Sequence, residues 1–117
     1  MLDISMLSAA AEVWSGQVRD LLPRAADELG ARSCAFAFLD HRGTRFHEDF
    51  ARFTQAGIPG ATAQVVADNV LNPGGPVFAW NVQDAGHAVH WSLTEYMSSD
   101  KEDWMAALDA PRHWPSW

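Results

Sequence analysis

The sequence predicts one α+β domain, in which an antiparallel sheet is packed with a long N-terminal helix, a central helix and a C-terminal helix. Three observations lead there. Apolar residues recur at alternating spacings of three and four from Ile4 to Leu29, the signature of one helix face. Two alternating apolar runs, residues 77–82 and 87–93, flank the Gly-ended stretch Gln83-Asp84-Ala85-Gly86 and read as a hairpin. At 117 residues the chain is the length of a single domain, which we place at residues 1–110, followed by a Trp/Pro-rich tail at 111–117.

The first helix carries Ile4, Leu7, Ala11, Trp14, Val18, Leu21, Ala25 and Leu29 on its apolar side. Pro23 lies inside it and removes one hydrogen bond, so a kink is expected near Leu22, and Gly30 marks the stop. Residues 33–39 alternate Cys34/Phe36/Phe38 against Ala35/Ala37/Leu39, apolar on both faces, as in a strand covered on two sides. Asp40-His41-Arg42-Gly43 is a turn by composition. From Thr44 the pattern serves either a strand or a helix, because Phe46, Phe50 and Phe53 also share a helical face; the strand is preferred here.

Residues 61–71 read as the central helix, with Val66 one turn from Val70 and Ala67 one turn from Leu71. Asn72-Pro73-Gly74-Gly75-Pro76 ends it. Ser99 followed by Glu102 is a capping box that predicts the C-terminal helix at residues 100–109, with Trp104, Ala107 and Leu108 turned inward. In the tail, Trp114 and Trp117 alternate with Pro111 and Pro115.

The formal net charge of −7 argues against nucleic acid, whose binding depends on Lys and Arg neutralising phosphates. Cys34 is the single cysteine, so no internal disulfide forms. Met1-Leu2-Asp3-Ile4-Ser5 lacks the basic start and apolar run of a signal peptide, and no stretch reaches membrane-span length. The cytoplasm is the expected compartment, with no membrane partner.

No catalytic motif is legible. His87 and His90, three apart on a strand, point to opposite faces and cannot share an ion. His41, His47, Glu48 and Asp49 lie beside a turn and read as solvated loop residues. The expectation is a non-enzymatic binding protein without metal or cofactor.

In Asp27-Glu28-Leu29-Gly30 before the first strand, in Asp68-Asn69-Val70-Leu71 followed by Gly74-Gly75-Pro76-Val77-Phe78-Ala79, and in residues 86–93 leading into 100–108, the chain resembles the class I type III secretion chaperones, the CesT-like family. The resemblance implies a homodimer that holds the N-terminal region of a secreted effector partly unfolded, with Trp14, Phe36, Phe46 and Phe50 as candidate client-binding side chains. The dimer is expected at the central helix and the following strand, through Val65, Val66, Asn69, Val70 and Trp80, because that helix has a wider apolar arc than one sheet contact needs. Two other binding roles suit a small acidic chain: an immunity protein that blocks a toxin, and a small-molecule-sensing module with Trp80 and Trp91 at its pocket.

Overall fold

The computed structural model describes residues 10–84, 88–95 and 102–109. It bears out the α+β class: among the described residues, three α-helices and a four-stranded sheet, with β1 (Cys34–Leu39), β2 (Pro59–Ala67), β4 (Glu102–Asp109) and β3 (Val89–Glu95) in that spatial order. The sheet is mixed. β1 and β2 are parallel, while β2/β4 and β3/β4 are antiparallel.

Register lines up one apolar face in two rows, Ala37–Val65–Leu108–Val89 and Leu39–Ala67–Ala106–Trp91. Against this face pack Phe46 and Phe50 of α2 (Phe46–Gln55) and Phe78 and Val82 of α3 (Pro76–Asp84), making the buried core with Val70. Phe78 meets both α2 rings edge to face at 5.7 and 5.6 Å, the geometry favoured by ring quadrupoles. The other side of β1 is open, with Phe36 and Phe38 57% and 48% exposed, so the strand is not covered on both sides as expected.

Several elements differ from the sequence reading. α1 spans only Val18–Leu29; residues 11–17 are not helical, and residues 1–9 lie outside the described ones. Pro23 sits within it, and Gly30, at φ +86°, caps it by donating to the Ala26 carbonyl at 3.0 Å. Residues 46–55 are helix, not strand: after a 3-10 turn at Gly43–Arg45, Phe46 and Phe50, one turn apart, are both buried.

The central helix is instead β2. The decisive period is two, with Ala63, Val65 and Ala67 buried, and the branched Val65 and Val66 suit a pleated strand better than a helix. Residues 77–82, expected as a strand, lie in α3. Pro76 occupies its first turn, where a missing N–H costs nothing, and Phe78 and Val82 share its buried side at helical spacing. The C-terminal helix is β4, with Asp103, Ala106 and Leu108 buried in strand alternation. Gln83 and Asp84 of the expected hairpin loop lie in α3, while Ala85 and Gly86, Ser99 of the expected capping box and the tail lie outside the described residues. The hairpin consequently joins β3 to β4, from Val89↔Leu108 to Glu95↔Glu102. Among the described residues no helix is long and apolar enough to cross a membrane.

Candidate functional site

The parallel pairing of β1 and β2 places two acidic residues at neighbouring strand ends. Leu39 and Ala67 are register partners, so Asp40 and Asp68 follow at the carboxyl ends of adjacent parallel strands, and the Asp68 N–H donates to the Leu39 carbonyl at 2.9 Å. In open sheets, ligands bind outside such ends.

The next residue is held by an unusual set of contacts. Asn69 has left-handed backbone, φ +57° and ψ +43°, a conformation that Asn tolerates better than most residues. Its N–H donates to Asp68 Oδ1 at 2.8 Å, and its side-chain Nδ2 donates to Asp103 Oδ2 at 2.6 Å. Asp103 is 1% exposed, and its Oδ1 also accepts the N–H groups of Leu71 and Trp104 at 3.2 and 2.8 Å. A buried carboxylate on β4 therefore orients the Asn69 amide. With Nδ2 turned to Asp103, the Asn69 Oδ1 is the end left to accept from, or coordinate, something else.

The two loops are locked to each other through glycine. A Cβ at Gly43 would overlap the Gly74 carbonyl oxygen, and one at Gly75 would press on the Gly43 oxygen at 3.2 Å. The turn after β1 and the single π-helical turn Val70–Gly74 after β2 thus touch backbone to backbone, a closeness that side chains prevent.

Beside this end, His41 Nε2 lies 2.7 Å from Asp49 Oδ2, and its ring stands edge-on to Phe46 with centroids 5.0 Å apart. Asp49 is buried at 6% exposure and is also reached by Arg52 at 3.5 Å. Of the four residues expected in a solvated loop, His41 does lie exposed in the turn, whereas His47, Glu48 and Asp49 belong to α2, and Asp49 points inward from its first turn. Glu48, on the surface, has its carboxyl held below the usual range, first by a hydrogen bond from Arg45 at 3.0 Å. His47 Nδ1 is buried without a hydrogen-bond partner among the described residues.

The residues expected to bind a dimer mate or a client are scattered. Val65 and Val70 are 0% and 2% exposed inside the chain's own core, Val66 is half-buried on β2, and Asn69 is tied to Asp103, so a two-fold seam on a helix here has no helix to rest on. Trp80 is 72% exposed on α3. Phe46 and Phe50 are core, Phe36 is exposed on the edge strand, and Trp14 is half-buried under the Arg24 guanidinium, 3.9 Å above its ring. Nothing gathers Trp14, Phe36, Phe46 and Phe50 into one groove. Cys34 is half-buried, its thiol pushed up by burial. His90 contacts Asp109 at 3.1 Å, whereas His87 lies outside the described residues.

The sequence reading missed Asp40, Asp68 and Asp103. A carboxylate directly after each of two strands is a visible signal, but only once both strands are recognised and parallel; reading 61–71 as helix hid it.

No protein-family model matches the chain. It is similar to the catechol O-methyltransferase of Mus musculus, 29% identical over 100 residues that cover 83% of this chain and 38% of the mouse protein. The chain thus spans well under half the length of that relative. The likeness is to an enzyme, and it overturns the expectation of a non-enzymatic secretion chaperone, together with the immunity and sensing alternatives.

Proposed function

We propose that this chain is part of an O-methyltransferase acting on an aromatic vicinal diol, and that the carboxyl ends of β1 and β2 bind the acceptor hydroxyls. The observation that carries this is the placement of Asp40 and Asp68 directly after the register partners Leu39 and Ala67, with Asn69 oriented by buried Asp103. The name of the mouse relative supplies the reaction class, and the chain's cytoplasmic location is part of the same proposal.

Methyl transfer to oxygen needs a nucleophilic oxygen. As the hydroxyl oxygen bonds to the methyl carbon, the bond from that carbon to its donor breaks, the pair leaves with the donor, and the hydroxyl proton must go to a base. Carboxylates at the site favour that proton's departure by accepting its hydrogen bond, and two neighbouring acceptors match the two hydroxyls of a catechol.

The donor set is all oxygen, which suits a hard divalent cation. Among the described residues no three His, Cys, Asp or Glu side chains cluster to hold a metal by themselves. Asp40, Asp68 and the Asn69 amide oxygen would hold such an ion with water or the diol completing its shell, as magnesium commonly keeps several non-protein ligands. When bound, the ion supplies positive charge that lowers the pKa of a nearby hydroxyl. Asp103 contributes by fixing Asn69, and the Gly43/Gly74 contact keeps the two loops at one separation.

Calorimetry with catechol, in magnesium and then in excess chelator, tests the reading without requiring turnover. Catechol is expected to bind in magnesium and to lose at least tenfold in affinity in chelator, and in Asp40→Asn or Asp68→Asn. Equal binding by both variants and the unchanged chain contradicts it.

A further inference from the structure

A second site lies beyond the carboxylate pair. A cleft of about 350 Å³ is bounded by Gly16, Gln17 and Val18 at the start of α1, by the turn after β1, and by α2. Arg19, Arg42, Arg45 and Arg52 all line it, with His41. The chain holds eight Lys and Arg against fifteen Asp and Glu, so half of its basic residues meet at one cleft in a strongly acidic protein.

The arginines are only partly neutralised. Arg19 approaches Asp20 at 4.0 Å, Arg45 pairs with Glu48 at 3.0 Å, and Arg52 reaches Glu48 at 3.9 Å and Asp49 at 3.5 Å. Arg42 makes no ion pair within 4.0 Å among the described residues. Asp49 is the one acid of the lining, and it is already engaged by His41. Each guanidinium carries five N–H donors in a planar fork, and single carboxylate contacts leave most of them unused. Four such forks reaching one cavity from three elements form a converging donor set for an oxyanion. The volume exceeds what one inorganic anion fills and lies within the range of small-ligand pockets.

We propose that this cleft binds a small organic molecule through a phosphate or carboxylate group, gripped by Arg42 and Arg19 with Arg45 and Arg52 contributing charge. The proposal rests on the cleft alone and stands independently of the methyltransferase reading.

Inorganic pyrophosphate and citrate are the probes, titrated calorimetrically at low ionic strength against sodium chloride of matched ionic strength. Saturable binding of at least one probe, absent with chloride, is expected. Arg42→Gln and Arg19→Gln should each weaken it about tenfold, as loss of charge-assisted hydrogen bonds does, whereas Arg32→Gln, at a basic position outside the lining, should leave it unchanged. Arg42→Lys, which keeps the charge and loses the fork, should fall between and guards against a folding defect in the glutamine variant. Tighter pyrophosphate assigns a phosphate-bearing ligand, and tighter citrate a carboxylate-bearing one. Absence of saturation with both probes, or equal weakening by Arg32→Gln, overturns the proposal.

Discussion

A single residue, His41, separates Asp40 from Arg42, yet the regions they open are built by opposite means. At the carboxyl ends of β1 and β2, the polar groups are anchored from behind: buried Asp103 takes Asn69, Leu71 and Trp104, and Gly43 rests on the Gly74 backbone. In the arginine cleft, side chains of Arg19, Arg45 and Arg52 are 43–49% exposed and are held mainly by surface carboxylates. Surface pairs of this kind contribute little to stability. The first region is therefore preorganised, and its residues bear on the fold; the second is an electrostatic surface whose residues bear on binding.

Removing the anchor sharpens that comparison most. Asp103→Ala leaves three N–H donors without their buried acceptor and should cost about 3 kcal/mol or more, read from urea denaturation. Asp103→Asn, which keeps an acceptor oxygen, should recover part of the loss. Next comes Gly43→Ala, whose new methyl meets backbone and not a yielding side chain. It should cost about 1–3 kcal/mol and weaken catechol binding as the two loops separate.

The opposite pattern is expected across the divide. Arg42→Gln should move stability by less than about 0.5 kcal/mol, as surface substitutions do, while reducing anion binding. A cleft variant that unfolds the protein, or an Asp103→Ala protein of unchanged stability, would break the distinction. The smallest effect belongs to Glu48. Its carboxyl is held low by Arg45, so the pair's contribution is fully present above the ordinary carboxylate range and is lost as pH falls through the lowered folded value. Glu48→Gln should abolish that acid-side dependence and, by freeing Arg45 and Arg52, slightly strengthen pyrophosphate binding in titrations above pH 6.

Local signals identified some elements well. Alternation over Cys34 to Leu39 and the stop at Gly30 are properties of neighbouring residues, and they appear in the structure at those places, whereas Asn72 to Pro76, expected to end a helix, lead from a π-helical turn into α3. The exchanged elements are those whose type depends on distant partners. Residues 61–67 and 102–109 each fit a helical face, but β2 gains its ladder from β1, more than twenty residues earlier, and from β4, some forty residues later. In α3 the alternation Val77, Phe78, Ala79, Trp80 imitated a strand, although Phe78 and Val82 already stood one helical turn apart. The site shared this fate. Asp40 and Asp68 become neighbours only through parallel pairing, and the reason for Asn69 lies on β4 at Asp103, a residue the sequence reading placed in the C-terminal helix.

The central claim is that the ends of β1 and β2 hold an oxygen-ligated cation beside a diol. Backbone amide resonances recorded during titration with manganese, in the presence of catechol, locate such an ion directly through paramagnetic broadening. The account predicts that broadening begins at Asp40, His41, Asp68 and Asn69, and that Asp68→Asn removes it. Broadening centred instead on α1, around Asp20, Asp27 and Glu28, or unaltered by Asp68→Asn, would contradict it.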